Sequence, residues 1–228
     1  MDYQFQFGVL TNYIPVMLDG LLLTLLLSFV GIFGGLFIGL AFAIASISRS
    51  PALRLIIRIY VELLRNTPML VQIFVIFFAL PSLGIRLSPV ISVFIAVVLN
   101  NSAYITEILR AGLQATHRSQ FEAAESLGLS YVQMLRYVII PPAVERVFAP
   151  VVSQSVLLML STSLVSAIGV EDLAGAAAVA SSETFRTMEV YLIISVIYVG
   201  LSYVFRFVLG AAGLLVFTRS RRQLLGTA

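Results

Sequence analysis

The stretch "SQFEAAESLGLS", Ser119 to Ser130, is a mostly polar, helix-favouring dozen in a chain of 228 residues of which 60% are hydrophobic and 11% charged. Ser119 and Glu122 have the Ser-x-x-Glu spacing of a capping box, and Gly128 suits a helix C-terminus. Phe121, Ala124 and Leu127 share one helical face, with Glu122 and Glu125 elsewhere. The stretch therefore reads as a short, rigid helix with small alanines on its surface, shaped to let another surface come close to its backbone.

Working outward, apolar runs recur on both sides at Leu18 to Ile47, Met69 to Leu83, Pro89 to Leu109, Val147 to Val170 and Thr187 to Phe207. A transmembrane helix needs about 20 such residues. The expectation is an all-α integral membrane protein with five spans and a single domain, residues 18–215, holding the 119–130 helix within it.

All 14 basic residues are Arg. With the N-terminus outside, Arg49, Arg54, Arg58, Arg65, Arg110, Arg118, Arg136, Arg146, Arg206, Arg219, Arg221 and Arg222 fall on cytoplasmic segments, leaving only Arg86 and Arg186 outside. Asp2, Asp19, Glu171, Asp172, Glu183 and Glu189 also fall outside. The excess of positive charge in short cytoplasmic loops then predicts an N-out, C-in chain, with the Arg patches against anionic lipid. A net charge of +3 gives no reason for a nucleic-acid partner. Zero Cys and one His exclude disulfides, thiolate sites and imidazole metal clusters. The first 18 residues carry no Arg and the apolar run is long, so no cleavable signal peptide is expected. "AFAIAS", Ala41 to Ser46, reads as the end of the first span.

Along the chain, Gly31, Gly35 and Gly39 mark a face where another helix can approach closely. Ser50 and Pro51 open an interfacial helix with a charged stripe at Arg54, Arg58 and Glu62. Asn66, Thr67 and Pro68 break it, either as a turn into the second span or as a pathway-lining interruption. Ser88 and Pro89 open the third span, which places Asn100 and Asn101 near mid-membrane, where amides need partners or a substrate. Glu107 pairs with Arg110 three residues on, or serves binding or gating. In "STSLVS", the hydroxyls of Ser161, Thr162, Ser163 and Ser166 bond their own helix or join the two asparagines in a polar patch. Arg206 is expected to snorkel at the inner face and end the fifth span, leaving "FVLGAAGLLVF" along the interface or protruding, with a longer, tilted helix that buries Arg206 as the alternative.

The segment between the third and fourth spans, Arg110 to Arg146, is far longer than a helix-to-helix turn requires. Within it, Glu122, Ala123, Ala124, Gly128 and then Val138, Ile139, Ile140 and Pro141 resemble the EAA loop of permease subunits of bacterial ATP-binding-cassette importers: Glu-Ala-Ala, three residues, Gly, nine residues, Ile-x-Leu-Pro. "LDGLLLTL" at 18–25, "RNTPMLVQ" at 65–72, "NSAYITEILRAG" at 101–112 and "STSLVSAIGVEDL" at 161–173 are similar to the histidine, glutamine and glutamate branch of that family. The resemblance implies the type I importer permease fold and a bacterial inner-membrane location. It also implies that Glu122, Ala123, Ala124 and Gly128 belong to a coupling helix seated in a cleft of the ATPase subunit. The partners implied are ABC ATPase subunits, a second permease chain, identical or homologous, and a periplasmic solute-binding protein.

ATP and Mg are expected on the ATPase, since a Walker A loop needs Lys and this sequence has none. The chain itself is expected to be no enzyme. Thr67, Asn100, Asn101, Ser161 and Thr162, with Glu107, are the candidate contacts along the pathway of a polar amino acid. Where many relatives read Lys-Asp before "TSL", Leu160 and Ser161 stand here, which disfavours a cationic cargo. Two alternatives stand beside this reading: an ion-gradient-driven secondary transporter of a small polar solute, argued from the asparagine pair and Glu107, and an anchor without transport.

Overall fold

The computed structural model describes residues 3–48, 50–115 and 118–216; Asp2, Arg49, Arg219, Arg221 and Arg222 lie outside the described residues. A 3-10 turn, Phe7–Tyr13, leads into α1 (Ile14–Ser46). At 1.5 Å per residue, the 33 residues of α1 span about 50 Å. Next come α2 (Pro51–Arg65) and a broken limb of α3 (Met69–Phe74), a π-turn at Val75–Ala79 and α4 (Leu80–Ser82). The chain continues through α5 (Pro89–Gln114), α6 (Arg118–Ser126), α7 (Tyr131–Met134), a second π-turn at Leu135–Ile139 and α8 (Ile140–Ser161). A 3-10 segment, Thr162–Ile168, then leads to α9 (Leu173–Thr184) and α10 (Thr187–Val216).

Four helices are long and apolar enough to cross a membrane, or five passages if the pair bent by 106° at residues 66–68 counts as one. Packing register decides for five. A Cβ at Gly35 would fall 2.5 Å from Asn101 Nδ2 and one at Gly39 2.6 Å from Ile105 Cγ2, and Gly31 meets Val97 in the same ascending order. Hence α1 and α5 run the same way, and α2 to α4 must supply one return passage between them. By contrast, Gly112 meets Val147 and Asn101 meets Gln154, so α8 runs against α5. Gly213 meets Phe148, and the first turns of α10 pack at Val190 and Ile194 in a cluster with Met17 of α1, so α10 runs with α1. An odd number of passages puts the two ends of the described chain on opposite sides.

The caps fall where expected: Ser50 accepts from Leu53 N at 3.4 Å and Ser88 from Ile91 N at 3.3 Å. The 106° bend at residues 66–68 sets α2 across the line of α3 and α4 rather than in series with it, and Tyr60 and Gln72 both meet α5 within residues 99–102. Other expectations need correction. The fourth span leaves α-geometry at Ser161, because Thr162, Ser163 and Ser166 each donate to the carbonyl three residues back, at 2.7, 2.8 and 2.9 Å, which tightens the turn. It then stops at Gly169, φ +77°. Arg206 does not end the last helix: nothing in "FVLGAAG" breaks the ladder, Gly213 lets α10 lie against Phe148, and the exposed arginine simply projects from a longer helix. The segment Arg110 to Arg146 is mostly helical, with α5 running to Gln114 and α8 starting at Ile140. A helix missing from the sequence reading, α9, is held by Asp172, whose carboxylate caps Gly175 N at 3.0 Å, and by Thr24, which accepts from Leu173 N at 3.1 Å.

Candidate functional site

At the bend, Pro68 is extended (φ −60°, ψ 139°) and the broken ladder is closed by one buried side chain. Gln72 Nε2 donates to Leu64 O at 2.8 Å, to Thr67 O at 3.1 Å and to Thr67 Oγ1 at 2.9 Å, while its Oε1 accepts from Asn100 Nδ2 at 3.0 Å. Buried amides so satisfied hold one geometry, because each unmade bond in a low dielectric is costly. The bend is thus locked to mid-α5.

Beside this lock lies a cleft of about 500 Å³ whose polar lining includes Thr67, Asn100, Ser161, Gln154, Tyr104 and Arg65. Three expected pathway residues, Thr67, Asn100 and Ser161, are therefore brought together from three elements. Among the described residues, Asn100 Oδ1 and Gln154 Oε1 have no hydrogen-bond partner. The other expected residues lie elsewhere. Asn101, 1% exposed, turns into the α1 seam and donates to Gly31 O at 3.0 Å. Thr162 is fully buried and spends its hydroxyl on Met159 O. Glu107 lines a second cleft, about 540 Å³, between α2 and the end of α5, where Arg110 Nε is 2.9 Å and Arg65 Nη1 3.8 Å from its carboxylate. Gln72, Gln154, Arg65 and Tyr104 were missed. The visible signal was a lone amide in each of two apolar runs, and Arg65 opening "RNTPMLVQ".

At the α6 end, Ala124 is 1% exposed and packs with Met134, Ile139, Phe121 and Leu129. Glu122 and Ala123 face outward. Leu127 does not share the inner face as expected: it is 79% exposed, because the helix stops there. Gly128, φ +70°, forms the left-handed stop, with Gly128 N bonded to Glu125 O at 2.9 Å and Leu129 N to Ala124 O at 3.2 Å. The helix starts at Arg118, so Ser119 lies inside the first turn rather than at the cap, and the cap position falls outside the described residues. Arg146 Nη1 donates to Ala115 O at 2.8 Å and ties α8 to the end of α5 beside α6.

Residues 31–213 match the family model for the binding-protein-dependent transport system inner membrane component. The chain belongs to this family. It is 33% identical over 197 residues, 86% of this chain and 87% of the relative, to a probable amino-acid ABC transporter permease of Bacillus subtilis (strain 168). A probable glutamine ABC transporter permease of the same organism is 35% identical over 159 residues, covering 68% and 73%. Among solved structures, a chain of an amino acid ABC transporter with histidines superposes with a TM-score of 0.86 at 33% identity, covering 92% of this chain and 99% of that one. The MetNI methionine ABC transporter in an inward-facing conformation gives 0.75 at 18% identity, which speaks to the fold alone. The chain is a multi-pass inner-membrane permease subunit of an ABC importer, with the type I fold. Nothing favours the ion-driven secondary transporter, and the five passages with α6 between the third and fourth belong to the permease.

Proposed function

We propose that the permease carries a polar amino acid across the bacterial inner membrane as one of two transmembrane chains, driven by separate ATPase subunits. The observation that carries this is the mutual fit, over 92% and 99% of the chains, to a transporter of amino acids at 33% identity. The cleft at Thr67, Asn100 and Ser161 agrees: it is small, amide-lined and open on the side where Leu157, Leu160 and Leu164 stand exposed, which a second permease chain would cover.

In this reading, α6 points to the cytoplasm, since Arg54, Arg58, Arg65, Arg110, Arg136 and Arg146 gather at its end of the bundle. Anionic lipid headgroups meet that end. Glu122 and Ala123 face an ATPase cleft, Ala124 roots the helix to the permease, and Gly128 ends it sharply. ATP and Mg belong to the ATPase, and a periplasmic solute-binding protein delivers cargo to the opposite end, near Tyr3 and Arg186. Closure of the ATPases moves α6, and through α7 and the Leu135–Ile139 turn it moves α8, one wall of the cleft.

Affinity purification of the tagged permease from native membranes, beside Glu122→Arg, tests this. A P-loop ATPase retained by the unaltered chain and lost from the variant is expected. Its absence from both under mild solubilisation overturns the reading.

A further inference from the structure

Two clefts meet at one guanidinium. Arg65, Asn66 and Tyr104 border both the 500 Å³ cleft and the 540 Å³ cleft on the α6 side. Arg65 Nη1 stands 3.8 Å from Glu107 Oε1, beyond hydrogen-bond reach, and its Cζ lies 5.4 Å from the Tyr104 ring centre. Glu107 does not depend on it, because Arg110 forks onto both carboxylate oxygens. Arg65 is the loosely held member of the trio, with its side chain 40% exposed.

The rest of the first cleft is neutral. Thr67, Asn100, Gln154 and Ser161 supply hydroxyls and amides, and among the described residues no Asp or Glu lines it. Arg65 is then its one formal charge. A planar guanidinium fits a carboxylate through two parallel hydrogen bonds, and at 3.8 Å Glu107 makes neither with Arg65. For an ammonium the walls offer only neutral oxygens, Asn100 Oδ1 among them.

We propose that Arg65 reads the cargo: its guanidinium leaves Glu107 and Tyr104 to take the carboxylate of an amino acid in the cleft, and the lack of a facing carboxylate admits only amino acids with neutral or acidic side chains. This rests on the amino-acid reading above and adds the residue and the substrate class. Because Arg65 and Tyr104 border both clefts, the same movement unlinks the contact between them. Cargo binding and opening toward the α6 side become one event.

The test uses the permease purified with its ATPase in lipid nanodiscs and three radiolabelled probes: L-glutamine, L-glutaminol, in which an alcohol replaces the carboxylate, and L-arginine. The unaltered complex is expected to prefer glutamine to both others by at least about tenfold. Arg65→Gln weakens glutamine about 10- to 100-fold without changing glutaminol, the loss expected when a charge-assisted pair is removed. Arg65→Lys recovers part, and Ser161→Asp, which sets a carboxylate into the cleft, admits arginine. Equal glutamine binding by an assembled Arg65→Gln complex overturns the role of Arg65 and leaves the amino-acid reading intact. Should Arg65→Gln fail to assemble, unchanged discrimination by Arg65→Lys together with no gain of arginine in Ser161→Asp overturns it equally. If cells expressing the unaltered importer take up none of glutamine, glutamate and arginine, the amino-acid reading falls first and this proposal with it.

Discussion

Asn100 and Asn101 are neighbours in sequence, yet the two sides of α5 they serve differ in kind. On the α1 side, Gly31, Gly35 and Gly39 bring two helices into contact with no space left, and Asn101 spends its amide on the Gly31 carbonyl. Toward α8 the same helix borders a cleft of about 500 Å³, and Asn100 keeps an acceptor there after bonding Gln72. One polar residue closes a seam and the next furnishes a space. In a membrane, where apolar surface gains little by leaving lipid, close packing and interhelical hydrogen bonds hold helices together, so a gap lined by amides is a feature rather than a lapse in packing.

This contrast can be broken most severely at the seam. Gly35→Leu places a side chain where Asn101 already stands, and is expected to cost about 3 kcal/mol and lower the melting temperature by roughly 10 °C in detergent. Glu122→Arg should leave melting within about 0.5 kcal/mol of the parent, as surface changes do, while ATPase co-purification is lost. Asn100→Ala should cut uptake per folded molecule about tenfold, the value of one lost hydrogen bond at 1.4 kcal/mol. Asn101→Ala is expected to lose about 1 kcal/mol of stability and to lower uptake only as far as folded protein falls; a per-molecule defect as large as that of Asn100→Ala would erase the distinction between the two sides. Smallest of all, Thr162→Val should keep uptake within about twofold, because its hydroxyl bonds only its own helix, a contact of little net worth.

Much of this was legible beforehand because it rests on local chemistry. Ser50 and Ser88 cap helices through their own hydroxyls, Gly128 adopts a left-handed stop, and Pro68 forces an extended residue: each needs only nearby backbone. The spacing of Gly31, Gly35 and Gly39 announced a close approach without naming its partner. Candidate pathway residues were read as a depth, and depth does not say which way a side chain points. Asn101 and Thr162 shared the depth of Asn100 and Ser161 but turned away from the cleft, whereas Gln72 and Gln154 were passed over as isolated amides.

The sequence by itself determined that the chain spans a membrane, that α2 and α5 begin at Pro51 and Pro89, and that a short helix before Gly128 ends in a glycine stop, because hydrophobic length and capping are properties of contiguous residues. Only the tertiary structure decided that α2 lies across the limb that follows it, that α10 runs on past Arg206, that α9 exists as a buried helix, and that Arg65 stands between two clefts. Those outcomes depend on which helix lies against which, and that is fixed by contacts between residues far apart in the chain.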